Sequence, residues 1–275
     1  MKRIKICTLA LSTCLALGAF SGCNKTEETT AAPVSIINTT ASEAGSSEDI
    51  PETEDAVSSL IDEPVTTDVE YISFDAERLE YANLFISDFA EQFITDIDRD
   101  SLSFEQLMDF VHIFLKINSR DSITYETNGD ITYETFTFER ASEVAKKHFG
   151  IFVSEAGCET LPAPPSTHGD QPAGPYYANG MIWYEASDGE IHNLIAIVDY
   201  GVNNTDGTQT LRFTIYAIDM ETFSQIDTDE LKSYYKLDTD GAAADKTLGK
   251  VVSGTAVVGV GQSGDYYLVS YKTDK

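Results

Sequence analysis

Apolar side chains along this chain keep mainly a helical spacing before a proline-rich stretch and a strand spacing after it. Helices gathered ahead of strands predict an α+β fold, because parallel α/β folds need the two to alternate. From Phe74 to Phe93, the residues Leu79, Ala82, Ile86, Phe89 and Phe93 recur at helical spacing behind a cap at Ser73 or Asp75. Ser103 and Gln106 form a capping box ahead of a stripe of Leu107, Phe110, Val111, Phe114 and Leu115, with Asn118 as the stop. Ile-Thr-Tyr-Glu-Thr then occurs twice, at Ile123–Thr127 and Ile131–Thr135, around Asn128-Gly129-Asp130. β-Formers flanking Asn-Gly predict a hairpin, since that turn needs positive φ. Thr137 caps a third helix, Phe138 to Phe149, with Ala141, Val144, Ala145 and Phe149 inward and Gly150 at the left-handed stop.

Five of the eight prolines lie between Leu161 and Pro175, which predicts an irregular surface loop. Strand-like runs follow at Met181–Glu185, Leu194–Tyr200, Thr210–Asp219, Lys250–Val258 and Asp265–Tyr271. Their short connections predict antiparallel neighbours. Leu231 to Asp245 has no decisive period and is open to strand or short helix.

The N-terminus sets the expected location. Lys2, Arg3 and Lys5 precede an uncharged run of 15 residues, Ile6 to Phe20. That is short for a membrane span of roughly 20 residues but matches the hydrophobic region of a signal peptide. It ends in Phe20-Ser21-Gly22-Cys23, and small residues just before a cysteine resemble a bacterial lipobox. The resemblance implies cleavage after residue 22, a signal peptide over 1–22, and a lipid on Cys23 holding the protein to the outer face of a cell membrane. Cys7 and Cys14 would leave with the signal peptide, so Cys158 is the one thiol left and no internal disulfide is expected. Asn24 to Ile72 holds 12 acids against one base and lacks an apolar period. We expect 23–72 to be a tether, since such a segment buries too little apolar surface to offset the entropy of ordering. A single domain is expected over 73–275.

The formal net charge is −28, with −20 of it on residues 73–275. Nucleic acid is therefore not an expected partner, because its phosphates are held by Lys and Arg. Several motif-like strings fail on chemistry. Gly259-Val260-Gly261-Gln262-Ser263-Gly264 leads into a strand rather than the helix a dinucleotide site requires. Gly249-Lys250 lacks the first glycine and the magnesium-binding hydroxyl of a P-loop. Ser233-Tyr234-Tyr235-Lys236 has neither companion motif of the penicillin-binding enzymes. Asp96, Asp98 and Asp100 begin a calcium loop that Ser101 and Leu107 do not close. His112, His148, His168 and His192 lack ligand spacing, so no metal and no cofactor are expected. His112 and His148, on helix flanks, are expected to be solvated. Cys158 and His168 bracket the start of the proline loop, but no orienting group is legible and no catalytic residue is assigned.

The order helix, helix, hairpin, helix, antiparallel meander resembles the nuclear-transport-factor-2-like superfamily. It implies a curved antiparallel sheet wrapped around helices into a cone with a pocket. Tyr176, Tyr177 and Trp183, where the proline loop meets the sheet, are the candidate ligand contacts, because aromatics bury much area at little entropy cost. The expected function is non-catalytic binding of a small molecule, glycan or protein partner. An enzyme in the cone pocket and a structural or inhibitory wall protein are the alternatives. An enzyme calls for several titratable groups with shifted pKa values in one concave site, whereas a binding module calls for an apolar or aromatic pocket.

Overall fold

The computed structural model describes residues 69–169, 171–187 and 193–275. The expected signal peptide, Cys23, the expected tether as far as residue 68, and His192 lie outside the described residues. In chain order the elements are α1 (Ala76–Ala90), β1 (Asp96–Asp98), α2 (Phe104–Asn118), the hairpin β2 (Thr124–Asn128) and β3 (Ile131–Thr137), α3 (Phe138–Phe149) and the short α4 (Glu155–Cys158). After the proline loop come β4 (Tyr176–Ala178), β5 (Met181–Glu185), β6 (Leu194–Asn203) and β7 (Gln209–Ile218). Three short helices, α5 (Met220–Phe223), α6 (Thr228–Tyr234) and α7 (Thr239–Ala244), precede β8 (Leu248–Val260) and β9 (Tyr266–Thr273). The fold class is α+β. No helix among the described residues is long and apolar enough to cross a membrane.

Local chemistry sets the helix ends. Asp75 accepts the Arg78 N–H at the start of α1, Ser103 and Gln106 complete the capping box of α2, and Thr137 caps α3. Gly150 ends α3 at φ 66°, in the left-handed region. The turn glycine Gly129 sits at φ 62°, and a Cβ there would lie 1.9 Å from the Ser166 carbonyl, so no other residue fits. The first helix is shorter than its apolar spacing predicts. It stops at Ala90, and Phe93 follows at φ 56° with its ring exposed rather than inward. The weakly patterned stretch 231–245 holds the end of α6 and all of α7, joined by a short turn, and no strand.

Among the described residues the strands divide into two antiparallel sheets, ordered β1-β9-β8-β7-β6 and β2-β3-β5-β4. Asp96–Asp98 is a strand pairing with β9 rather than a plain helix connection. The glycine-rich string is the β8–β9 hairpin, where Tyr267 lies so close to Gly259 that a Cβ would overlap its ring. Helices α1, α2 and α3 share one core with the inner faces of both sheets: Phe85, Phe89, Phe110 and Phe149 meet Phe136 and Ile182 from the smaller sheet and Phe213, Leu268 and Tyr271 from the larger. A smaller core lies on the other face of the larger sheet, where α5–α7 cover Ile195, Ile197, Tyr216 and Ile218.

Strand β6 is an edge, and exposed edges invite pairing with other chains. Here the edge is closed from within. Ser87 Oγ accepts the Ala196 N–H at 2.8 Å and Asn83 Oδ1 accepts the Val198 N–H at 2.7 Å, so α1 supplies from side chains what a further strand would supply from backbone. Beyond the bulge at Val198/Tyr200, the Ile72 N–H donates to Gly201 and the Asn203 N–H to Glu70. Glu70, Tyr71 and Ile72, at the end of the acidic stretch, thus pair with β6.

Candidate functional site

Two cavities open on either side of the C-terminal ends of α1 and α2, and Asn118 lines both. The first is a groove of about 480 Å³ between α1, α2 and α3. Tyr81, Leu84, Phe85, Phe114 and Val144 provide apolar and aromatic surface, and Asp88, Arg140, Glu143 and Lys147 provide charge. These charges are already matched. Arg140 meets Glu143 at 2.7 Å, and Lys147 reaches Asp88 at 3.6 Å while lying over the Phe114 ring. Behind Asp88 stands His148, fully buried among Phe85, Phe89, Phe110 and Phe114. Its Nδ1–H donates to the Val144 carbonyl at 2.9 Å, and its Nε2 lies 2.8 Å from Asp88 Oδ2.

The second cavity, about 350 Å³, lies between the ends of α1 and α2, the start of β6 and the α5–α6 excursion. Ile117, Leu194, Ile195, Ile218, Phe223 and Leu231 give it apolar surface, and Lys116, Asn118 and Asn193 line it with polar groups. Glu91, the residue capping α1, enters this surface with its side chain buried. Tyr235 donates to its Oε1 at 2.9 Å and Asn118 to its Oε2 at 3.4 Å. Burial, reinforced by the neighbouring Asp88 charge, pushes the Glu91 carboxyl up to about 7 despite these two hydrogen bonds. Burial and the same carboxylate drive the Tyr235 phenol well above its ordinary range.

A further buried cluster lies between α2 and the smaller sheet. Glu134 meets His112 Nε2 at 2.7 Å and Lys116 Nζ at 3.0 Å, and His112 stacks on Tyr184 with ring centres 4.0 Å apart. The Tyr184 hydroxyl donates to Asp109 at 2.9 Å. Burial would raise the Glu134 carboxyl, but hydrogen bonds from His112 and Lys116 outweigh it and hold the group below its ordinary range. His112 and His148 are therefore buried and paired rather than solvated. Carboxylates from other elements, Glu134 on β3 and Asp88 on α1, meet them beneath the packed layers.

The aromatic residues singled out by sequence do not converge. Tyr176 and Trp183 sit opposite each other across β4 and β5 and pack with Tyr133 and Ile131 in a small cluster. The proline loop covers that cluster: Tyr133 donates to the Pro165 carbonyl at 2.6 Å, Tyr176 to that of Pro172, and Asn128 to Pro164 at 2.9 Å. Trp183 donates to the Ala178 carbonyl at 3.1 Å. Tyr177 points to the opposite face, against the main core, and donates to Glu155 at 3.1 Å. Alternation along a strand separates adjacent side chains, and the polar atoms of all three are used within the fold. Cys158 is buried, and burial pushes its thiol up to about 11, while His168 is exposed and meets Glu185 at 3.2 Å, so the two form no pair.

Sequence reading passed over Asp88 and Glu91. The visible signal was two acids at the end of a helix with no basic residue in its last turn, where the helix dipole favours cations. Comparison with family models, curated proteins and solved structures finds no match for this chain.

Proposed function

We propose that this protein is a lipid-anchored, outward-facing binding module that holds a small amphipathic molecule and performs no chemistry on it. The groove between α1, α2 and α3 supports this reading. Its volume of about 480 Å³ falls in the range of small-molecule sites, and aromatic surface lies beside charge. Arg140, Glu143 and Lys147 are paired yet keep part of their polar surface exposed, which leaves them able to orient a ligand's polar end while Phe85 and Phe114 take its apolar body. The lipid would hold the domain at the membrane.

Leu84 lines the groove and is partly exposed, so Leu84→Glu alters the groove without disturbing the core. Titrated with anilinonaphthalene sulfonate, the native protein is expected to give a saturable rise in fluorescence, and Leu84→Glu to weaken it by about tenfold or more. Equal binding by both proteins, at equal melting temperature, would remove the groove from the reading. The anchor has its own test. Cys23→Ala is expected to release the protein from the membrane fraction and abolish labelling by fatty-acid analogues, and retention of either would count against it.

A further inference from the structure

The groove between α1, α2 and α3 carries charge of both signs, and in one place the two signs stand side by side at its surface. Arg140 and Glu143 lie one turn apart on α3 with the guanidinium 2.7 Å from the carboxylate, and their side chains remain 34% and 66% exposed. An ion pair this exposed is weak, so a ligand can enter it at little cost. Both groups also have bonding capacity to spare. Arg140 has five N–H donors and spends one on Glu143 and one on Ser119 Oγ at 3.2 Å, which leaves donors for a second carboxylate. Glu143 takes the Arg140 bond through Oε2 alone among the described residues.

A ligand with a single charge fits this lining badly. An anion drawn to Arg140 and Lys147 would face Glu143 and Asp88, and a cation drawn to those carboxylates would face Arg140 and Lys147. A zwitterion whose charges adjoin, laid antiparallel to the Arg140–Glu143 pair, meets each charge with its opposite. The head of an α-amino acid has this form, since one carbon carries both its carboxylate and its ammonium. The other charged groups of the groove are already matched: Asp88 lies 2.8 Å from His148 Nε2 and 3.6 Å from Lys147 Nζ. Leu84, Phe85 and Phe114 in the same groove supply the surface for an apolar side chain.

We propose that the groove binds a free α-amino acid with an apolar side chain, its carboxylate on Arg140, its ammonium on Glu143 and its side chain on Leu84, Phe85 and Phe114. The volume of about 480 Å³ accommodates a ligand of this size. Such binding presupposes the groove of the preceding proposal, to which it adds the class of ligand.

Isothermal titration of the full-length protein with phenylalanine, against phenethylammonium and 3-phenylpropionate, tests this. Each control keeps the ring and one of the two charges. Phenylalanine is expected to bind about tenfold tighter than either. Arg140→Gln should weaken phenylalanine by about tenfold and leave phenethylammonium as tight or tighter. Glu143→Gln should weaken phenylalanine by about as much and leave 3-phenylpropionate as tight or tighter, and it reads the same point if Arg140→Gln fails to fold. A merely structural role for either side chain would weaken all three ligands together. The proposal is overturned if phenylalanine does not bind, if either control binds as tightly, or if the folded variants keep the native preference. Its failure alone leaves anilinonaphthalene sulfonate still bound and still weakened by Leu84→Glu, whereas loss of that signal as well removes the groove together with its ligand.

Discussion

Asn83→Ala is expected to lower the stability of the domain by about 3–5 kcal/mol. Asn83 is fully buried on α1 and makes three bonds to backbone: its Nδ2 donates to the Tyr235 carbonyl at 2.9 Å and the Leu237 carbonyl at 3.0 Å, and its Oδ1 accepts the Val198 N–H at 2.7 Å. Alanine would strand one donor and two acceptors, the Val198 N–H and the Tyr235 carbonyl in buried surroundings and the Leu237 carbonyl in partly buried ones, each costing about 1–3 kcal/mol when water cannot replace the bond. The same side chain fastens the segment after α6 to the first helix and closes the edge of β6, so its loss loosens both cores together. Urea unfolding followed by circular dichroism measures the effect. Asn204→Ala, whose bonds to Thr208 and Thr210 stay within one turn, serves as the control and is expected to cost about 1 kcal/mol or less. A cost at Asn83 no larger than at Asn204 would mean that water or a shift of the strand satisfies the abandoned groups.

Glu91→Gln is expected to stabilise the protein at alkaline pH while leaving it nearly unchanged in mild acid. An unfolded glutamate titrates near 4.5, whereas burial and Asp88 lift the folded Glu91 to about 7. Below 4.5 both states hold the proton and the site is neutral to folding. Between 4.5 and 7 the unfolded chain gives up its proton and the folded one keeps it, so stability falls as pH rises; above 7 the loss is complete, at about 3 kcal/mol. Glutamine keeps an acceptor for Tyr235 and removes the buried charge. The variant should therefore gain up to about 3 kcal/mol at pH 8 and gain little near pH 4.5. Glu134 works in the opposite sense. Its carboxyl is held low, so its contribution is present above the ordinary glutamate value and is lost as pH falls through the folded one. Chemical denaturation across this pH range should show native stability highest between the two transitions, with only the alkaline side flattened in Glu91→Gln. A variant that is less stable than the native protein at pH 8 would show that the hydrogen bonds to Glu91 outweigh its desolvation.

What could be read from the chain alone was local in origin. Ser103 with Gln106, Thr137 and Gly150 mark helix ends because the groups they satisfy lie within a few residues. Asn128-Gly129 marks the hairpin because positive φ is a property of the residue itself. The strand runs, and hence the α+β class, follow from a two-residue period that registers on each segment separately. Tertiary structure decided whatever depends on a partner distant in sequence. It separated the strands into two sheets, since each strand's pattern says which face is apolar but not which strand lies beside it. It buried His112 and His148 by bringing Glu134 and Asp88 to them across 22 and 60 residues. It also covered Tyr176 with its own proline loop and turned Tyr177 to the other side of the sheet. The same holds for both cavities: Asp88, Glu91 and Asn118 are unremarkable residues near two helix ends, and only the packing of α3 on one side and Tyr235 with Phe223 on the other gives them walls. A buried carboxyl is costly because of what surrounds it, and those surroundings exist only once the chain has folded.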